Sequence, residues 1–380
     1  MIYFDNAATT LLKPPGVAEA VAHAIGSFGG AGRGVHGASI DAGMTVFQAR
    51  QKVSDLFGGP GPKRVAFASN ATEALNTAIC GLLRPGDHAV TTAASHNSML
   101  RPLFRAEDAG SVEVTVVPVG ADGALDYDAF DAAFRPNTRL AAVTHASNLT
   151  GDVYDLARLA AIAHDHGALL VVDAAQTAGL VPVRMEEDGI DVVCFTGHKS
   201  LFGPQGTGGL CVAEGVDIEP LKVGGSGTHS YDREHPAFMP ERLEAGTLNA
   251  HGVAGLLAGL NYLQDKGVEA VLAETLALAA RFEKGVRGIA GVRVLGGGTD
   301  VRTGIVALNV GDADSALVAD LLNTAHGICT RAGAHCAPLM HEALGTDRQG
   351  AVRFSFSHLN TADEVDAGVA ALAALAKDLS

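Results

Sequence analysis

Between about Arg64 and Ala213, short apolar runs alternate with segments of helical periodicity, and no other feature restricts the fold so strongly. Apolar runs occupy 64–68, 88–93, 112–119, 140–144, 168–172, 190–195 and 209–212. Segments 71–83 and 156–164 carry helical spacing, and Pro85-Gly86-Asp87 and Asp122-Gly123 turn the chain. Strands that are apolar on both faces need cover on both faces. The pattern therefore predicts an α/β fold, a mostly parallel sheet with helices on either side. A different pattern follows Asn249. Two long helical segments, 251–266 and 268–288, precede strands at 292–295, 304–310, 328–331 and 352–356, with helices at 315–325 and 362–379. A chain of 380 residues has the length of about two domains. The expected division is a large, mostly parallel-sheet domain over 1–249 and a smaller α+β C-terminal domain over 250–380. The segment of about 1–15 is expected to pack with the small domain.

Charge narrows the partners. There are 42 Asp and Glu against 27 Lys and Arg, a formal net charge of −15. That argues against non-specific binding to nucleic acid or an anionic membrane, which needs a basic surface. No apolar run approaches the length of a membrane span. The sequence Met1-Ile2-Tyr3-Phe4-Asp5 lacks the basic-then-apolar pattern of a secretory signal. The five cysteines (Cys80, Cys194, Cys211, Cys329 and Cys336) are odd in number and scattered, with no Cys-x-x-Cys pair. Neither a disulfide framework nor a zinc ribbon is expected, and no other metal site stands out. The expected setting is reduced and cytoplasmic.

The chemistry gathers after the strands. In Leu169-Leu170-Val171-Val172-Asp173-Ala174-Ala175-Gln176 a carboxylate stands at the carboxyl end of an apolar run, where open α/β sheets place their ligands. Cys194-Phe195-Thr196-Gly197-His198-Lys199 puts an amine after the next run. Pyridoxal 5'-phosphate needs that pair: a lysine to form the Schiff base and a carboxylate to keep the pyridine nitrogen protonated. The bland alternative is a surface lysine and an unrelated strand-end aspartate. Neighbouring segments weigh against it. Ser69-Asn70-Ala71-Thr72-Glu73 opens a helix, whose free N–H groups suit a phosphate, although Asn70 and Glu73 also read as a capping box. His96, in Ala94-Ser95-His96-Asn97-Ser98, is placed to stack on a cofactor ring and shuttle protons. Asn148, in His145-Ala146-Ser147-Asn148, is placed to hydrogen-bond a ring substituent. Polar residues after at least five successive strands are harder to dismiss than any one motif.

A second group lies in Thr330-Arg331-Ala332-Gly333-Ala334-His335-Cys336-Ala337. A thiol in a small-residue loop beside cationic neighbours is a candidate nucleophile. The other four cysteines read as apolar fillers. Arg353 is a charge inside a strand, suited to a substrate carboxylate or to a structural ion pair. A nucleotide-binding dehydrogenase also fits the strand–helix alternation, but no Gly-x-Gly-x-x-Gly marks a first strand–helix turn.

Together these residues resemble the cysteine desulfurases of the class-V aminotransferase, fold-type I pyridoxal-phosphate enzymes. The resemblance runs from Tyr3-Phe4-Asp5-Asn6-Ala7-Ala8-Thr9-Thr10 to Arg353-Phe354-Ser355 and the last helix. Thr196-Gly197-His198-Lys199 and the Arg331–Ala337 stretch are its most specific parts. The short cysteine loop is similar to the group II (SufS-like) desulfurases and selenocysteine lyases. The resemblance implies that Lys199 is the Schiff-base lysine, that Asp173 pairs with the pyridine nitrogen, that Gln176 touches the ring hydroxyl and that His96 stacks on the ring. Thr72, Thr196 and His198 would hold the phosphate. Asn148, Arg331 and Arg353, with Arg33 and His36, would face the substrate. Gly246 and Thr247 would reach the neighbouring subunit's phosphate site in a homodimer. The implied reaction converts L-cysteine to L-alanine, leaving sulfur as a persulfide on Cys336 for transfer to an acceptor protein. Selenocysteine lysis, or another C–S lyase or aminotransferase reaction on the same scaffold, is the alternative, and a noncatalytic scaffold a more distant one. Asn97 stands where the group II pattern has a second histidine, and the segment after Cys336 is one residue shorter.

Overall fold

The computed structural model describes residues 1–32 and 34–379. It begins with a two-residue strand, β1 (Ile2–Tyr3), and two helices that apolar spacing does not announce, α1 (Val17–Ser27) and α2 (Gly37–Phe57). The apolar runs then become β2 (Val65–Ala68), β3 (His88–Thr92), β4 (Glu113–Val117), β5 (Thr138–Thr144), β6 (Leu169–Asp173), β7 (Val192–Thr196) and β8 (Gly208–Val212). Between them lie α3 (Ala71–Leu82), α4 (Asn97–Asp108), α5 (Tyr127–Ala132), α6 (Leu156–Asp165) and α7 (Met185–Asp188).

These strands form one seven-stranded sheet in the order β2-β8-β7-β6-β5-β3-β4. The five strands β4, β3, β5, β6 and β7 run parallel, and β8 is antiparallel to both of its neighbours. The expected mostly parallel α/β sheet is thus present. Its residues alternate between two cores. Val90, Val143, Val172 and Val193 face one apolar cluster, while Ala89, Ala142, Val171 and Val192 face the other. Pairing also sets where a crevice opens. The chain moves outward from β3 to β4, then returns to the other side of β3 with β5 and continues to β6 and β7. At such a reversal the loops leaving adjacent strands diverge, and a cleft forms at their carboxyl ends.

The remaining elements are α8 (Ala250–Lys266), α9 (Val268–Arg287), β9 (Val292–Leu295), β10 (Ile305–Val310), α10 (Ser315–His326), β11 (Ile328–Cys329), β12 (Arg331–Gly333), α11 (Pro338–Leu344), β13 (Ala351–Ser355) and α12 (Ala362–Asp378). An antiparallel sheet, β12-β13-β10-β9, is covered by α9, α10 and α12 around a third apolar cluster. Phe4, Phe282, Phe354 and Phe356 meet there, with ring centroids 4.4 Å apart for Phe282 and Phe354 and 4.8 Å for Phe4 and Phe356. Helix α8 packs against α1 and α2.

One strand differs from its expected span. The run 328–331 is two strands, because Ile328 and Cys329 pair in parallel with β1, while Arg331 turns to pair with Arg353 on β13. The partner strands lie in different sheets, which periodicity along one segment cannot register.

The amino-terminal segment bridges the two halves. The Ser355 amide donates to the Phe4 carbonyl at 2.7 Å, and Asn6 Nδ2 donates to the Ser355 carbonyl at 2.9 Å. A few residues on, Thr9, Thr10 and Lys13 donate to the His198 carbonyl beside the large sheet.

Candidate active site

The cleft at the carboxyl edge of the parallel strands, open in part to solvent, spans about 760 Å³. Its lining collects Thr72, His96, Asn148, Asp173, Gln176, Thr196, His198, Lys199, Arg331 and Arg353. These residues leave five strands of the large sheet and two of the small one, so only the tertiary fold brings them together.

Asp173 ends β6 and is 5% exposed. Burial raises its carboxyl above the ordinary value, against the opposing pull of the Ala175 amide, which donates to Oδ1 at 2.9 Å, and of the Lys199 ammonium. A buried carboxylate with one backbone donor has acceptor capacity left for a cationic or N–H-bearing ligand. Lys199 follows β7. Burial lowers its amine to about 8, with Arg353 and Arg331 pushing the same way and Asp173 and Asp5 opposing. At neutral pH about a tenth of such amines are unprotonated, against well under a thousandth for an ordinary lysine.

His96 is the N-cap of α4. Its Nδ1 accepts the Ser98 amide at 3.0 Å, which places the proton of the neutral ring on Nε2. Burial, followed by the charges of Lys199, Arg331, Arg353 and Arg101, lowers its titration to about 4. Ser98 Oγ also lies 2.8 Å from Thr72 Oγ1, near the start of α3. Asn70 caps α3 by accepting the Glu73 amide at 2.9 Å, and Glu73 accepts the Ser69 amide at 2.8 Å. The same segment caps the helix and lines the cleft, through Asn70, Ala71 and Thr72.

Several buried polar atoms have no partner among the described residues: Thr196 Oγ1, His198 Nδ1, Asn148 Oδ1 and Arg353 Nε. All four belong to residues lining the cleft. Unpaired buried polar groups are costly, and a polar ligand in the cleft would satisfy these four. Arg353 is 1% exposed. Its Nη2 donates to Asp5 Oδ1 at 2.9 Å and its Nη1 to the Asn148 carbonyl at 2.8 Å. Arg331 is its cross-strand neighbour, so two guanidinium groups face one cavity.

Cys336 lies in an adjoining cavity, lined also by Thr72, His96, Asn97, Ser98 and Arg101. His96, Thr72 and Ser98 line both spaces. Cys194 and Cys211 are buried in strands, and burial raises both thiols, that of Cys211 to about 12. They fit the reading of apolar fillers.

Three candidate residues stand apart. His36 is the N-cap residue of α2, its Nε2 3.2 Å from Ser39 Oγ, away from the cleft. Arg33 is outside the described residues. Gly246 and Thr247 line a different cavity, beside Arg50 and α2. That segment is fixed by the buried pair Arg50–Glu244, 2.7 Å apart, with Arg50 over the Phe67 ring.

Two contributors escape sequence reasoning. Asp5 reaches Arg353 only through the pairing of the amino-terminal segment with the small sheet. Lys13 donates to the His198 carbonyl at 3.0 Å, and burial lowers its amine to about 8. The only local signal for Lys13 is a lysine between apolar and proline residues with no acidic neighbour.

His145 carries a pH prediction. It is buried, its Nδ1 2.9 Å from Thr177 Oγ1, and burial lowers its titration to about 3. The folded protein therefore holds the neutral ring, while the unfolded chain takes a proton near 6.5. The stability from this group is complete above pH 6.5 and falls by about 1.4 kcal/mol per pH unit from 6.5 down to about 3. His145→Gln is expected to flatten the acid side of stability against pH, measured by urea unfolding from pH 7 to 4. An unchanged slope would mean that other groups carry it.

The chain is similar to known proteins over nearly its whole length. The aminotransferase class-V family matches residues 2–367. A probable cysteine desulfurase of Methanothermobacter thermautotrophicus is 33% identical over 96% of this chain and 92% of its own length. A cysteine desulfurase of Haloferax volcanii is 31% identical over 96% and 87%. The solved apo structure of the cysteine desulfurase from Thermococcus onnurineus superposes with a TM-score of 0.93 at 33% identity, covering 99% of this chain and 95% of that one.

Proposed function

This chain belongs to the class-V aminotransferase family, among its cysteine desulfurases, and on that premise we propose how its residues divide the work. The cleft takes L-cysteine, releases L-alanine and leaves the sulfur on Cys336. One observation carries this reading. Asp173 and Lys199 share a cleft with unpartnered buried donors, and Cys336 stands next door across His96. The names of the relatives do not favour selenocysteine lysis.

The lining suits pyridoxal 5'-phosphate, which when bound supplies an electron sink for charge developing at the substrate α-carbon. Asp173 would accept the pyridine N–H and keep that nitrogen protonated. Thr72, Thr196 Oγ1 and His198 would hold the phosphate, and Gln176 would serve the ring hydroxyl. The neutral imidazole of His96 would cover the ring face. Lys199 Nζ takes the α-proton, a task suited to an amine titrating near 8. Asn148, Arg331 and Arg353 orient the substrate carboxylate. The Cys336 thiolate attacks the substrate sulfur. A sulfur–sulfur bond forms and the substrate Cβ–S bond breaks. The electron pair stays on the β-carbon, which is protonated to give alanine. The persulfide is then open to an acceptor thiol.

An apolar stripe on α2, formed by Ile40, Met44 and Phe47 at about half exposure, supports a homodimer. In it Gly246 and Thr247 serve the neighbouring site. No helix of the described residues is long and apolar enough to cross a membrane. Five free cysteines support a reducing, cytoplasmic setting.

The reading is tested by incubating cofactor-loaded protein with L-cysteine and a reductant and measuring alanine, sulfide and pyruvate. Alanine equal to sulfide supports it; pyruvate in place of alanine overturns it. Arg353→Lys is expected to raise KM for L-cysteine by roughly 10–100-fold, because a point charge replaces a fork held by Asp5 and the Asn148 carbonyl. Steady-state kinetics check this, and an unchanged KM would remove Arg353 from the carboxylate site.

A further inference from the structure

Consecutive residues at the sulfur-accepting position, His335 (φ 51°) and Cys336 (φ 56°), both have left-handed backbone. Among the described residues only Phe202 and His229 are other non-glycine positions of this kind. L-residues resist this conformation, and two in succession persist only where surroundings enforce them.

The enforcement is visible around His335. Its ring is buried, and Nε2 donates to the Arg331 carbonyl at 3.2 Å. The ring stacks on His341, with centroids 5.8 Å apart and planes 14° apart. His341 is itself held by Thr346, Nδ1 to Oγ1 at 2.7 Å. The His335 carbonyl accepts Asn148 Nδ2 at 2.6 Å, and the Cys336 carbonyl accepts the Asn97 amide, beside His96, at 2.8 Å. Asn148 also gives its own carbonyl to Arg353, and Arg331 pairs with Arg353 across strands. The cysteine loop and the carboxylate clamp thus share Asn148 and Arg331.

We propose that His335 is a positioning residue: its wedged ring and its Asn148-bound carbonyl hold Cys336 in the left-handed state that presents the thiol to the cavity it shares with His96. This rests on the reading of Cys336 as the nucleophile. His335 lines neither the cleft nor the cavity of Cys336. It acts on the sulfur-transfer step alone, and proton removal by Lys199 is independent of it.

The test uses holoenzyme carrying His335→Ala, His335→Asn or Cys336→Ala. Persulfide on Cys336 is followed by rapid quench, alkylation and mass spectrometry. Exchange of the α-proton of L-alanine in D2O reports Lys199 chemistry without sulfur. Hydrogen exchange over 333–337 reports the loop without activity. His335→Ala is expected to slow persulfide formation on the order of 10²-fold, keep α-proton exchange within about twofold and deprotect the loop. His335→Asn, whose side chain tolerates left-handed backbone, is expected to recover part of the loss. Should the alanine variant not fold, the asparagine variant decides by the same readouts. An unchanged persulfide rate overturns the proposal, as does a parallel fall in α-proton exchange. Full sulfide release by Cys336→Ala would overturn the underlying reading instead. An inactive Cys336→Ala beside a normal His335→Ala overturns the role of His335 alone.

Discussion

Lys199→Ala is expected to lower alanine formation from L-cysteine by at least about 10³-fold, because it removes the one amine in the cleft that can take the α-proton. The effect should fall on turnover more than on carboxylate binding, since Arg353 and Asn148 remain. The same substitution is expected to stabilise the cofactor-free protein near neutral pH. Burial lowers the Lys199 amine to about 8, so the folded state bears the cost of the charged form below that pH. The cost is relieved as pH rises from 8 towards the unfolded value near 10.5, and deleting the amine removes it at every pH. Activity against Tm at pH 7 checks both halves. Loss of activity with a raised Tm fits a group kept for chemistry at a cost in stability. A variant retaining even a hundredth of turnover would mean that another base serves.

Cys336→Ala is the second large effect. It is expected to abolish persulfide and cut sulfide release by about 10²–10³-fold, while α-proton exchange on L-alanine stays near that of the parent protein. The separation follows from geometry. Cys336 lines a cavity next to the main cleft, and the proton-transfer residues are all in the cleft. The thiol can therefore be removed without touching Lys199, Asp173 or Arg353. Cys194 and Cys211 are no substitutes, since both are buried in strands with thiols raised by burial. Sulfide release undiminished in the variant would mean that sulfur leaves without passing through Cys336.

Much of this was legible locally. Continuous apolar runs report burial on both faces of a sheet, and the runs fell on β2 to β8 with ends shifted by a few residues. Helices α1, α2, α4, α5, α7 and α11 were not legible. Helix α4 is polar on average and carries a proline at 102, and its apolar stripe is confined to Met99, Leu100, Pro102 and Leu103. The pairing of β1 with β11 was equally hidden, because sequence spacing holds no record of a strand 326 residues away.

At the site, sequence alone determined which candidate groups stand at strand ends. Asp173 closes β6, Thr196 closes β7 with Lys199 just beyond, and Cys336 follows β12. Such placement is a local property: an apolar run fixes the strand, and the residue after it emerges at the sheet edge. Tertiary structure decided which edges meet, through the reversal between β3 and β5 and the cross-strand pairing of Arg331 with Arg353. It decided that Asp5 supports Arg353 and that Lys13 grips the backbone beside Lys199. It also decided that Cys336 shares a wall with the cleft through His96 rather than lying inside it. Those outcomes arise from contacts between residues far apart in the chain, whose energies depend on burial and mutual distance that no local pattern encodes.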